Sequence, residues 1–338
     1  MKKNDITLKD VAKLSGVSIP TVSRVINQEK YVSEEVKEKV LSAVKELNYE
    51  PQWIARSLRL KRTHTISVII PSVSDYFFGS IVLAVESYFR EKGYDIILFN
   101  TSNNEEIEER AIKLAISKRV EGIILATISK NKEKISSLIE NFGIPIVVVD
   151  NKLDIENVDQ ILSDDVGGSY KLVEHLIKKH GYKDIACISG PLDESSGMEK
   201  LEGYKKAMEE NGLHINDKYI KVAYWKKSKA YEATRELFEN SKKPEALYCM
   251  NANMLIGCLR YIIENKISIP DDLAVVTFDD YDFVSVLYPP VTSLKRIDIE
   301  MGTTAAKLLL ERIEGKNGDY KIVRIESDLV IRNSCGCK

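Results

Sequence analysis

From Thr65 onward the chain repeats one pattern: a short, near-continuous run of β-branched and aliphatic residues, then a longer amphipathic stretch. "TISVII", "DIILF", "GIILA" and "PIVVV" are such runs, and "IVLAVESYFREKG" lies between the first two. A strand that is apolar on both sides has to be covered on both, and that is the condition of a parallel sheet flanked by helices. A second series follows from about residue 184, "DIACIS", "YIKVAY", "EALYCM" and "LAVVTF". Two series predict two doubly wound α/β lobes. Open sheets of this kind bind ligands in the crevice beyond the carboxyl ends of their strands, so a cleft between the lobes is the expected ligand site.

The residues before Thr65 follow a different rule. Residues 1–62 hold 13 basic and 8 acidic side chains, a balance of +5 against −7 for the rest of the chain, so this end needs an anionic partner. Thr7 and Asp10 make a capping-box-like start to a helix whose apolar stripe is Val11, Ala12 and Leu14, and Gly16 stops it. Ser18 caps the next helix, with Pro20 in its first turn, where the missing N–H costs nothing. Val22, Val25 and Ile26 share one face of that helix. Ile19, Pro20, Thr21, Ser23, Arg24 and Asn27 are expected on or beside the other. A third helix starts after Ser33, with Glu34 and Glu35 complementing its dipole and Val36, Val40, Val44 and Leu47 as its stripe. Three short helices with a tight glycine turn describe a helix-turn-helix, whose second helix suits the major groove of double-stranded DNA.

Residues 5–60 resemble the headpiece of the LacI/GalR family of bacterial transcriptional repressors, through "TLKDVAKLSGVSIPTVSRVIN", "VSEEVKEKVLSAVKELNYEP" and "ARSL". The resemblance continues through "KLEGYKKAMEENGL", "IPDDLAVVTFDD" and "PPVTSL" to "IRNSCG". It implies a headpiece over 1–50, a hinge over 51–63 and a periplasmic-binding-protein-like core over 64–338. In that core the first lobe takes about 64–162 and 294–320, and the second about 163–293 and 321–338, joined by three crossovers. By position, Ile19 and Pro20 are the residues that choose the operator; both are apolar, which favours thymine methyls and shape over a bidentate guanine contact. Thr7, Ser18, Thr21, Ser23, Arg24 and Asn27 are expected to complete the DNA surface. Ala55, Arg56 and Leu58 fall in the hinge, and Leu58 takes the place of the leucine that each chain of a dimer wedges into the minor groove.

In the cleft, the resemblance assigns effector contacts to Tyr76, Phe77 and Phe78 of "SDYFFGSI", to Trp225, and to the hydrogen-bonding Asp164, Asn251 and Asp279, with Asp150 ranked below them. Lys200 stands where most members carry Arg, exchanging a planar fork for one flexible charge, and Ala252 replaces a common acid after Asn251. The implied protein is a homodimeric repressor of carbohydrate-utilisation genes on a palindromic operator, controlled by a small effector, most often a sugar. The alternatives are a corepressor-dependent or phosphocarrier-protein-dependent catabolite regulator, and a sugar-binding protein without a regulatory role. The chain ends at Lys338 without a heptad tail, so a dimer rather than a tetramer is expected.

Other classes find little support. The chain has no G-x-S-x-G, H-E-x-x-H, P-loop or post-strand G-x-G-x-x-G, and its four histidines are scattered in sequence, so no enzyme is expected. It shows neither a signal-peptide h-region nor the roughly 18-residue apolar run of a membrane span, so a cytoplasmic, nucleoid-associated protein is expected. Five cysteines make a disulfide framework improbable. No metal or cofactor is expected: "CGCK" offers two cysteines one residue apart, with no histidine nearby in sequence.

Overall fold

The computed structural model describes residues 6–26, 32–49, 62–128, 135–137, 141, 143–239, 242–316 and 318–338. The chain divides into two units, Met1–Thr63 and His64–Lys338. Asn27, Ala55, Arg56 and Leu58 lie outside the described residues.

Among the described residues of the first unit three helices form: α1 (Leu8–Ser15), α2 (Ile19–Ile26) and α3 (Glu34–Glu46). The Asp10 carboxylate accepts from the Thr7 amide at 2.9 Å and from the Thr7 hydroxyl at 2.6 Å, closing the N-terminus of α1. Gly16 ends α1 at φ 69, left-handed backbone that a Cβ disfavours. The core is small, with Val11, Ala12, Val22, Val25, Val40, Ala43 and Tyr49 buried. Two expectations need correction. Leu14 is 44% exposed rather than part of the stripe, because the period carries it past the face that meets α3. Ser23, expected on the outer face, is buried beside Val22.

The second unit holds two six-stranded sheets. The first contains β1 (Thr65–Ile70), β2 (Asp95–Asn100), β3 (Gly122–Leu125), β4 (Ile146–Val149), β5 (Asp159–Ser163) and β11 (Ile322–Ile325), in the order β11-β5-β4-β3-β1-β2. The second contains β6 (Ile185–Ser189), β7 (Ile220–Val222), β8 (Ala246–Cys249), β9 (Ala274–Asp279), β10 (Thr292–Leu294) and β12 (Leu329–Val330), in the order β12-β10-β9-β8-β6-β7. Every pairing is parallel except β10 with β12. Helices α4 (Tyr76–Glu91), α5 (Glu105–Ser117) and α11 (Asp298–Ile313) serve the first lobe. Helices α6 (Asp165–His180), α7 (Ser195–Glu210), α8 (Lys227–Glu239), α9 (Ala252–Glu264) and the short α10 (Asp282–Ser285) serve the second.

Strand alternation divides the first-lobe core into two layers, as a doubly covered sheet requires. Ile66, Val68 and Ile70 pack with Ile81, Val85 and Leu309 on one side. Ile69 packs with Ile123, Leu125 and Ile112 on the other. The lobes are joined by three crossovers: between β5 and α6, between β10 and α11, and between β11 and β12. The expected lobe boundaries need one correction. Residues 322–325 were placed in the second lobe, but they form β11 and pair with Gln160–Ser163 in the first sheet. Only the chain from β12 onward returns to the second.

A buried ion pair fixes one of these strands. Asp159 at the start of β5 is fully buried, and Arg312 of α11 donates to its two oxygens at 2.7 and 3.0 Å while the Lys321 amide adds a third bond at 2.8 Å. Removing one partner of a buried pair strands the other charge. Arg312→Ala is therefore expected to destabilise the core by about 3 kcal/mol, read as a lower urea midpoint at unchanged slope.

Candidate functional site

Two surfaces gather the candidate residues, one in each unit. In the first unit, the start of α2 presents its side chains outward. The Ser18 hydroxyl lies 2.8 Å from that of Thr21, and the Thr21 amide donates to Ser18 Oγ at 3.4 Å. Ser18, Pro20 and Arg24 are exposed, and Ile19, a large apolar side chain at the tip of α2, is 45% exposed. Thr7 is exposed at the start of α1, while Thr21 is half-buried and Ser23 buried. A helix tip that combines an apolar group, hydroxyls and one guanidinium can touch base methyls and phosphates in a major groove.

In the second unit, a cavity of about 480 Å³ opens between the lobes at the carboxyl ends of both sheets. Phe77, Phe78, Asp150, Lys200, Trp225, Asn251 and Asp279 all line it. Tyr76 and Asp164 do not. Tyr76 sits at the rim, where its ring packs 5.3 Å from that of Tyr281 and 5.9 Å from that of Phe283, joining the two lobes. Asp164 caps α6, accepting from the Gly167 amide at 3.0 Å, and its neighbour Asp165 faces the cavity instead. Sequence reasoning also passed over Asp75, Asn253 and Arg296. Asp75 is the N-cap of α4 and stands directly before "YFFG", so its place was readable; Asn253 and Arg296 had no such signal.

Local backbone shapes the aromatic wall. Tyr224 and Trp225 both hold left-handed φ angles, 55 and 56, which non-glycine residues rarely adopt and which mark stored strain at a loop lining the cavity. The conformation lays the indole across Gly190, where an added Cβ would come within 2.0 Å of Trp225 Cζ2, and Trp225 Nε1 donates to Glu194 at 2.8 Å. Asp150, on the other lobe, is left-handed too, with φ 74.

Lys200 is the electrostatic centre. It is buried, its Nζ lies 3.7 Å from Asp165 and 4.1 Å from the centroid of the Phe278 ring, and 5.3 Å from that of Trp225. Asp165, Asp279 and Asp150 all draw on this one cation, and burial outweighs it at each. Desolvation pushes Asp165 and Asp279 up to about 6 and Asp150 up to about 8, with Lys200 opposing the rise. Lys200 is itself held above its ordinary value: burial works against the ammonium, but Asp165, Asp279 and Asp150 together outweigh it.

The lobes also bond to each other. Asn253 Nδ2 donates to Asp75 Oδ2 at 2.7 Å, Ser195 Oγ accepts from the Lys152 amide at 2.7 Å, and Arg324 forks onto Glu199 at 2.7 and 2.9 Å. Arg296 donates to Ser80 at 2.6 Å and pairs with Asp298 at 2.7 Å. The first three of these contacts link one lobe to the other, so parting the lobes breaks them, whereas the Arg296 contacts lie within the first lobe.

A pH dependence follows from Asp150. Its folded-state value is raised, so ionising it opposes folding: the penalty begins near the ordinary carboxylate value of 3.8 and grows as pH rises toward about 8. Asp150→Asn removes that penalty while keeping shape. The variant is expected to gain thermal stability over the parent at pH 8, by a margin that shrinks as pH falls and closes only near pH 4, with ligand-free protein in both arms.

The family models divide at the boundary between the two units. Residues 7–52 match the model for bacterial regulatory proteins of the lacI family, and residues 63–333 match that for periplasmic binding proteins and the sugar-binding domain of the LacI family. The chain belongs to the LacI family. It is 34% identical over 328 residues to the HTH-type transcriptional repressor PurR of Vibrio campbellii, covering 97% of this chain and 98% of that one. Among solved structures it is similar to the lac repressor dimer bound to operator and the anti-inducer ONPF, at 27% identity and TM-score 0.88, covering 98% of this chain and 99% of that one. It is also similar to a complex of the transcriptional regulator CelR with cellobiose, at 28% identity and TM-score 0.75, covering 97% and 99%. This LacI-family protein is a DNA-binding transcriptional repressor that acts as a dimer on an operator under a small-molecule effector. Among the described residues no helix is long and apolar enough to cross a membrane.

Proposed function

We propose that the effector is a neutral sugar or sugar derivative held in the interlobe cavity, that it acts as an inducer, and that the genes repressed serve carbohydrate use. The observation that carries this reading is the charge balance of the cavity's buried wall. Asp150, Asp165 and Asp279 share Lys200, Arg296 is taken by Asp298, and the other lining lysines, Lys226, Lys227 and Lys295, are exposed at the rim. Carboxylates and carboxamides accept and orient hydroxyl groups, while Trp225, Phe77 and Phe278 offer faces to the C–H surface of a ring. An anionic ligand would add charge where acids already outnumber bases. Relatives solved with cellobiose and with bound ribose support the same class.

In this reading Phe77, Phe78, Trp225, Asn251, Asp279, Asp150 and Lys200 touch the effector, with Asp165 added and Asp164 acting through the cap of α6. Ile19 and Pro20 read the operator, Leu58 wedges the minor groove, and the protein acts at the nucleoid without catalysing a reaction. Thermal shift of the full chain against a panel of neutral mono- and disaccharides, sugar acids and planar heterocyclic bases tests the class. Stabilisation by a neutral sugar is expected, lost in Asp279→Ala. Stabilisation by a base or an acid, with none by any sugar, would overturn it.

A further inference from the structure

The carboxyl-terminal residues that looked inert in sequence meet two histidines in the fold. His175 and His180 lie on the last turns of α6, and Cys335 and Cys337 approach them from the chain's final segment. His175 Nε2 is 3.4 Å from Cys335 Sγ and 3.7 Å from Cys337 Sγ, and His180 Nε2 is 3.3 Å from Cys337 Sγ. All four ligand atoms lie within 4.8 Å of one another. Four ligands placed tetrahedrally around zinc, at Zn–S of about 2.3 Å and Zn–N of about 2.0 Å, stand about 3.3 to 3.8 Å from each other. The three His–Cys separations above already fall in that range.

We infer that His175, His180, Cys335 and Cys337 form a structural zinc site that staples the end of the chain to α6. Two nitrogens and two sulfurs are the donor set that zinc favours in closed tetrahedral sites, and four protein ligands leave no open position for catalysis. The surroundings are built to hold these groups. Thr292 donates to Cys335 Sγ at 3.2 Å, Tyr182 donates to the Cys335 carbonyl at 3.3 Å, and the Tyr182 ring stacks on His180 at 5.6 Å. Gly336 adopts φ 100 between the two cysteines, which turns both sulfurs toward the helix, and a Cβ there would crowd His180 Nδ1 at 3.3 Å. The same α6 starts at Asp165 in the effector cavity, so the metal would anchor the far end of a helix that lines the ligand site.

The test uses the untagged full-length chain, purified with a non-chelating reductant. Elemental analysis should find about one zinc per chain, and the chain stripped by chelator should melt at a lower temperature and recover on adding zinc. Cobalt added to the stripped chain should give the intense visible bands of a tetrahedral site with thiolate charge transfer. Cys335→Ser/Cys337→Ser and, separately, His180→Gln should lose the zinc and the cobalt spectrum. Should the double variant fail to fold, His180→Gln and the parent's cobalt spectrum decide. A parent chain with no more zinc than either variant, or a cobalt spectrum without thiolate bands, would overturn the site.

Discussion

Val22→Asp is expected to abolish operator recognition, with affinity for the specific duplex falling by about 10³-fold or more, to or below the non-specific level. Val22 has no exposed surface, and among the described residues its bundle buries only seven apolar side chains, so little of that core can absorb a carboxylate. A small domain has little stability to lose: each buried aliphatic side chain contributes about 1.5 to 3 kcal/mol, and an unpaired buried charge costs more than one of them supplies. Once α2 unfolds, Ile19, Pro20 and Arg24 are no longer held together on one helix tip. The core from His64 onward packs separately, so effector binding should persist in the variant. Anisotropy with labelled operator and thermal shift with effector separate the two effects. Operator affinity within tenfold of the parent would mean that this bundle does not carry recognition.

The second large effect is expected from Lys200→Met. Methionine nearly matches the side chain in volume but deletes the cation that Asp150, Asp165 and Asp279 share. With the side chain only 10% exposed and Asp165 at 4%, loss of the pair leaves buried carboxylates uncompensated, a change of about 3 to 5 kcal/mol. The carboxyl groups relieve part of this by holding their protons. The deficit should therefore be smaller near pH 5, where they are already largely protonated in the folded state, and larger at pH 8, where the parent's acids lean on Lys200. Effector affinity should fall with it, because the aromatic wall formed by Phe278 and Trp225 loses the ammonium packed against both rings. A variant as stable as the parent at pH 8, with unchanged effector binding, would remove Lys200 from the centre of the site.

How much could be read from the residues depended on whether chemistry and burial agreed. The eight strands written as apolar runs all formed: six are buried central strands that only a doubly covered sheet accommodates, while β2 and β7 lie at sheet edges and are only partly covered. β5 went unrecognised because it begins with Asp159 and Gln160, both buried and both satisfied, one by Arg312 and one by the backbone of Leu153. Polar residues in a core look like a loop until their partners are known. β10, β11 and β12 were missed for another reason: β10 and β12 are only three and two residues long, and β11 carries Arg324 and is mostly exposed, so none reads as an apolar run. In the cleft, residue type was legible but phase was not. Asp164 and Asp165 are adjacent, and only the entry of the chain into α6 decides which one caps the helix and which faces the ligand. The cysteine and histidine cluster shows the limit most sharply, because His175 and Cys335 are separated by 160 residues and only the fold brings them together.

The central claim is that the cleft and the DNA surface are coupled, so that ligand and operator each change the other's affinity by the same factor. The most direct test is a titration of a palindromic duplex, selected from a random library, with and without a saturating cleft ligand at fixed salt. The predicted result is at least about a tenfold weakening of operator binding by the ligand, with the reciprocal loss of ligand affinity on the operator-bound dimer. A ligand that fills the cavity, stabilises the core and leaves operator affinity unchanged would contradict it.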